Sequence, residues 1–208
     1  MSSVDIKEKT AQVYDKIAAG YSAGHFDHFW VEEFDFFKNI IKGKKVIDLG
    51  CGAGRDAVVF MKNGFDYTGI DVSEGMLQVA NTRVPKGKFQ QMDFSQTTFL
   101  DAMFDGFWAA ASFLHIPKKD VAAVLHEAKR ITKKDGVGFI SVEEKADIDE
   151  GMIDENKYGG VSRYFSFYTQ DEFQKILEQN GFSIIKMSRH VKNGERKTNW
   201  LCYFVKIV

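Results

Sequence analysis

Three dipeptides punctuate this chain at equivalent places. Asn63-Gly64, Asp135-Gly136 and Asn180-Gly181 each follow a run with helical spacing and precede a run of strand-like residues. Glycine past a helix end adopts the left-handed turn that closes the helix. Buried strands alternating with helices imply a parallel sheet covered on both faces. The strands read as Val46 to Leu49, Phe65 to Ile70, Lys88 to Met92, Phe104 to Ala111 and Val137 to Val142. Helices are expected over Asp56 to Lys62, Glu74 to Thr82, Pro117 to about Thr132, and Thr169 to Gln179. Asp135-Gly136 is expected to close the third of these.

The end of the chain breaks the alternation. Asn193-Gly194 lies between two strand-like runs, Ser183 to Val191 and Thr198 to Ile207. Asn-Gly in that setting is a hairpin signal. The expected fold is therefore α/β, a doubly wound seven-stranded sheet, mostly parallel with an antiparallel last strand.

With 208 residues, one domain is expected. Residues 1–42 read as an N-terminal helical cap, broken at Gly20 to Gly24. Residues 144–168, acidic, glycine-containing and aromatic, form the least regular stretch and are expected to insert as a substrate-side lid. The 28 Lys plus Arg against 29 Asp plus Glu argue against a strongly basic nucleic-acid face, so no nucleic-acid partner is expected. Two distant cysteines make neither a disulfide scaffold nor a zinc site, and His25 and His28 have no evident third ligand, so no metal is expected. A polar N-terminus without an apolar signal and no apolar run of ~20 residues predict a cytoplasmic protein that does not span a membrane. Some of the 19 phenylalanines are expected in the core and several in a pocket wall.

Chemistry concentrates after the first strand. There the chain reads Asp48-Leu49-Gly50-Cys51-Gly52-Ala53-Gly54-Arg55-Asp56. Alternate glycines let backbone approach a ligand, and the following helix N-terminus favours an anion. Gly52, Gly54 and Ala57 also fit a dinucleotide-binding turn. The surrounding carboxylates discriminate. Asp48, inside the strand, needs a cation such as an amino-acid ammonium. Asp71, closing the second strand, suits ribose hydroxyls and repels a 2′-phosphate. Asp93, after the third, suits an adenine amino group, with Phe94 packing on the base. One ligand with an amino acid, a ribose and an adenine satisfies all three.

The segments Val46 to Asp56 (VIDLGCGAGRD), Gly69 to Leu77 (GIDVSEGML), Gln91 to Phe94 (QMDF) and Phe104 to Pro117 resemble, in order and spacing, the class I S-adenosylmethionine-dependent methyltransferases. The likeness runs from about residue 10 to 208 and is nearest the small, single-domain bacterial branch acting on small molecules. It implies a Rossmann-like fold and S-adenosyl-L-methionine as cofactor. Asp48, Gly50, Gly52 and Gly54 would hold the methionyl part, Asp71 the ribose, and Asp93 with Phe94 the adenine. Val72 and Met76 match positions flanking the adenine. Tyr14 and Tyr21, in YDKIAAGY, match a tyrosine-rich helix that closes over the cofactor; the alternative is a helix face packed on the sheet.

On the acceptor side, His115 follows the fourth strand beside the expected methyl position and is the candidate catalytic residue. Ser112, Glu143, Arg163 and Tyr164 are the substrate-side candidates. The sequence SFLHIP (Ser112 to Pro117) lacks the proline-aromatic pattern of nucleic-acid base methyltransferases, which favours a small-molecule acceptor. Two other readings stay open: an NAD-dependent oxidoreductase, against which Asp48 and the antiparallel final strand count, and a non-catalytic S-adenosylmethionine-binding regulator.

Overall fold

The structure is a computed structural model that describes residues 2–24, 30–192 and 198–208. His25 and His28 and the turn Asn193-Gly194 lie outside the described residues.

Two helices come first, α1 (Ser3–Gly24) and α2 (Val31–Ile40). Strand β1 (Lys45–Leu49) leads through the glycine turn into α3 (Arg55–Lys62), and β2 (Asp66–Asp71) into α4 (Glu74–Arg83). Then follow β3 (Lys88–Gln91), β4 (Phe104–Ala110), α5 (Val121–Ile131) and β5 (Thr132–Glu144). The hairpin β6 (Glu150–Glu155) and β7 (Val161–Tyr168) precedes α6 (Gln170–Gln179), β8 (Phe182–Lys192) and β9 (Thr198–Ile207).

Strands β3, β2, β1, β4 and β5 lie side by side, all parallel. Beyond β5, β9 pairs antiparallel to it, and β8 pairs antiparallel to β9. These seven strands are the expected sheet, with β9 as its antiparallel member. Among the described residues the full count is nine, because the stretch that reads as least regular, 144–168, contains the β6–β7 hairpin. That hairpin joins the sheet only at the end of β5, where Glu143 and Glu144 stand opposite Phe167 and Tyr168. Short alternating runs broken by glycines and acids hid these two strands from sequence reasoning.

Asp135-Gly136 does not close a helix. Helix α5 stops at Ile131, and the pair lies within β5, where register against β4 slips between Phe104 and Gly106 and Asp135 takes φ 63°. It is a bulge, the other common use of a residue tolerant of positive φ.

Pleating divides the core in two. Along β4, Phe107 and Ala109 face the layer holding Val124, Leu125 and Phe173, while Trp108 and Ala110 face the layer holding Phe34, Phe37 and Phe60. Trp108 stacks on Phe139 at 4.1 Å between ring centroids. The aromatic mass thus fixes the sheet between its helices, and among the described residues Phe94 is the only phenylalanine that lines the cleft at the strand ends.

Candidate active site

A cavity of about 450 Å³ opens at the carboxyl ends of β1, β2 and β4, within the usual range for small-molecule sites. Helix α1 runs across it, contributing Lys7, Tyr14 and Tyr21 to its wall. The floor begins at Gly50, which has φ 83°. A Cβ there would come within 2.5 Å of Cβ of Ser112, so only glycine lets the β1 and β4 loops meet. Gly54, also at positive φ, is similarly confined by Phe89 and Ala80 and packs the start of α3 on its neighbours.

Three carboxylates stand in the wall at successive strand ends. Asp48 is 2% exposed and accepts from the Tyr67 hydroxyl at 2.7 Å. Burial, reinforced by neighbouring Asp56, pushes its carboxyl well above the ordinary range. Asp71 accepts from the Gly52 amide at 2.8 Å and the Ser73 amide at 2.9 Å, which ties the glycine turn to β2. Burial raises it as well, against those hydrogen bonds. Asp93 is held by Lys7 Nζ at 2.7 Å and by the Ser95 amide. It is lowered despite partial burial, because Lys7 and the Ser95 amide stabilise its charge.

The far wall follows β4. Ala111 has φ 58°, a strained conformation for a residue with a side chain, and its amide donates to Ser141 Oγ at 2.8 Å. That twist carries the chain into Ser112, whose buried hydroxyl has no hydrogen-bond partner among the described residues. His115 follows. Its Nδ1 is 2.7 Å from the Tyr164 carbonyl, which can only accept, so Nδ1 carries the proton. Its Nε2, 2.8 Å from the Tyr14 hydroxyl, is then an acceptor in the neutral ring. Burial and nearby Arg163 depress the imidazole to about 3, so it is neutral at physiological pH. Arg163 donates in turn to the Tyr14 oxygen and to Glu155.

A family model described as "Methyltransferase domain" matches residues 46–136, the stretch that carries all three carboxylates. The chain belongs to the class I S-adenosylmethionine-dependent methyltransferases. Among relatives, it is 33% identical over 151 residues to 27-O-demethylrifamycin SV methyltransferase of Amycolatopsis mediterranei, covering 67% of this chain and 54% of that one. It is 30% identical over 152 residues to demethylmenaquinone methyltransferase of Symbiobacterium thermophilum, covering 67% and 57%. The chain thus spans little more than half the length of these two curated relatives. In fold it is similar to 1,6-didemethyltoxoflavin-N1-methyltransferase of Burkholderia thailandensis, with a TM-score of 0.78 at 17% identity, covering 100% of this chain and 91% of that one.

Of the residues the class I methyltransferase pattern singles out, Asp48, Gly50, Gly52, Asp71, Val72, Met76, Asp93 and Phe94 all border the one cavity. Tyr14, Tyr21, Ser112 and His115 border it too. Gly54, Glu143, Arg163 and Tyr164 do not. Gly54 caps α3. Glu143 is buried on β5 opposite Trp200 and Phe167. Arg163 stands behind Tyr14, and Tyr164 meets His115 through its backbone while its hydroxyl bonds to Glu150.

Sequence reading missed several residues that line the cavity or support its wall. Arg55 and Asp56 were visible inside the glycine motif; they pair with each other at 2.8 Å, and Trp108 Nε1 also donates to Asp56. Asp15, which accepts from Ser73 Oγ at 2.7 Å and the Gly75 amide at 2.8 Å, docks α1 on the start of α4. Nothing in one sequence links positions 15 and 75, or 7 and 93.

Proposed function

We propose that this methyltransferase acts on a small-molecule acceptor bound between α1 and the loop after β4, beside His115. The observation that carries the reading is the joining of Asp48, Asp71 and Asp93 to Ser112 and His115 in one cavity wall. The residues suit S-adenosyl-L-methionine: Asp48 would receive the ammonium, Asp71 the ribose hydroxyls, and Asp93, sharing its charge with Lys7, the adenine amino group beside Phe94. The orphaned hydroxyl of Ser112 and the two raised carboxylates are buried polar groups whose cost a cationic, donor-rich ligand relieves.

S-adenosylmethionine held by these residues would supply an electrophilic methyl group for the acceptor. The protein's share is to align the acceptor, exclude water and, where the nucleophile carries a proton, provide a place for it. Helix α1 acts as the cover and the β6–β7 hairpin braces it through Arg163. His115 Nε2 holds a lone pair at the wall, so it can take a proton if an acceptor replaces the Tyr14 hydroxyl there. The relatives named above carry names that specify small-molecule methylation, which supports an acceptor of that class here.

A thermal-shift panel with S-adenosylmethionine, S-adenosylhomocysteine and NADH tests the cofactor side, because a ligand stabilises the state it binds. Stabilisation by the two sulfur ligands is expected, and stabilisation by NADH alone would overturn the reading. A screen of small acceptors that follows S-adenosylhomocysteine release then tests turnover. Binding without turnover across acceptor classes would favour a non-catalytic regulator.

A further inference from the structure

The cavity wall has an unequal charge inventory. Among the described residues it contains the carboxylates of Asp48, Asp56, Asp71, Asp93 and Asp120, but only two cationic side chains, Lys7 and Arg55. Both cations are committed, Lys7 to Asp93 and Arg55 to Asp56. His115 adds no charge in its neutral form. The cofactor, with an ammonium, a sulfonium and one carboxylate, brings a net single positive charge to Asp48 and Asp71. Asp120 is left over.

Asp120 lies at the entrance to α5, and its side chain does not cap the helix. Its Oδ2 is buried with no hydrogen-bond partner among the described residues. No ion pair to it occurs among the described residues, and Lys118 nearby is taken by Asp149 and Glu172. The cavity-lining residues that flank it in the chain are apolar, Ile116, Pro117, Ala123 and Val124, and the Tyr164 phenol is close enough to feel its charge. A carboxylate set in apolar surroundings is costly unless something completes it.

We propose that Asp120 is the residue that selects the acceptor's charge, receiving a cationic or hydrogen-bond-donating head group whose apolar body lies against Ile116, Pro117, Ala123 and Val124. Anionic acceptors are disfavoured by the same carboxylate. This rests on the methyltransferase reading and adds the acceptor's chemical class to it.

The test uses the full chain saturated with S-adenosylhomocysteine and three probes of one shape: phenethylamine, 2-phenylethanol and phenylacetate. Amide chemical shifts are followed by NMR during titration, and S-adenosylhomocysteine affinity is measured separately by calorimetry. Phenethylamine is expected to shift residues 116–124 and to bind about fivefold more tightly than phenylacetate, the size expected of a partly exposed ion pair. In Asp120→Asn, which keeps a residue suited to the helix start, that preference should vanish while S-adenosylhomocysteine affinity is unchanged. Equal or tighter phenylacetate binding, no shifts at residues 116–124, or a preference that persists in Asp120→Asn would overturn the inference. Loss of S-adenosylhomocysteine affinity in that variant would also overturn it, by moving Asp120 to the cofactor. A wild-type chain that fails to take S-adenosylhomocysteine at all would instead sink the methyltransferase reading, before any probe is added.

Discussion

The hydroxyl of Tyr14 and Nε2 of His115, 101 positions apart in the chain, meet at 2.8 Å and join the covering helix to the wall of the cleft. The Tyr164 carbonyl fixes the direction of that bond by claiming the proton on Nδ1. Tyr14 therefore donates, and the imidazole is kept neutral.

That neutrality has a pH signature. The folded imidazole sits at about 3, against about 6.5 in an unfolded chain. Above 6.5 both states are neutral and nothing is gained or lost. As pH falls from 6.5 towards 3 the unfolded chain takes the proton alone, so stability declines. About 1 kcal/mol should be lost by pH 5.5, or roughly 2–4 °C in Tm for a chain of this size. His115→Gln should show a shallower decline over the same window in thermal melts. An identical slope in both proteins would show that His115 titrates normally.

Asp48 presents the opposite sign. Its carboxyl is raised by burial, so stability falls as pH rises above about 4, until the folded carboxyl itself ionises and the cost levels off. Asp48→Asn is expected to raise the Tm of the ligand-free protein at pH 7 by roughly 2–4 °C, the effect of about 1 kcal/mol. The same change should weaken S-adenosylmethionine binding by about tenfold or more, because a hydrogen bond to a charged group is worth roughly 1.5–3 kcal/mol. Melting and calorimetry on one preparation check both. A variant less stable and equally tight would refute the assignment.

Asp71→Ala should weaken S-adenosylhomocysteine by about 1.5–3 kcal/mol in calorimetry, the range for bonds to a charged acceptor. It also frees the Gly52 and Ser73 amides that Asp71 holds. Asp71→Asn separates the two roles, since an amide oxygen still accepts one of those bonds. Unchanged affinity in the alanine variant would remove Asp71 from the site.

Gly75→Ala probes the cover. A Cβ at Gly75 would lie 2.9 Å from the Cα and carbonyl oxygen of Asp15, both backbone atoms that cannot swing aside. The sheet should remain folded while α1 loses its seat on α4. Limited proteolysis is expected to cut within residues 3–24 at least about fivefold faster, as the free energy of local opening falls by about 1 kcal/mol. Equal cleavage rates would mean that α1 is anchored elsewhere.

Much of this was legible in the sequence because its signals are local. Strand, turn and helix around Asp48 to Gly54 fall within a few residues of one another, and the same holds for Asp71 and Asp93 at their strand ends. Pairings between distant positions were not legible. Lys7 meets Asp93, Asp15 meets Gly75 and Arg163 meets Tyr14 only after the sheet has formed. Arg163 reads in sequence as a residue facing the acceptor, yet in the fold it is 6% exposed behind Tyr14. The β6–β7 hairpin escaped for a different reason: its burial alternates along β6 but is nearly continuous along β7, so no single period marks it.

The roof over the cleft is α1, the brace behind it is the β6–β7 hairpin, and both lie outside the matched stretch 46–136. Arg163 on the brace grips Tyr14 on the roof and carries Glu155 with it. The two segments are therefore a matched set, separated by more than a hundred residues of shared framework. A chimera that imports one of them alone brings either a buried guanidinium without its phenol or the phenol without its guanidinium. Only a joint exchange transfers the roof and its brace intact.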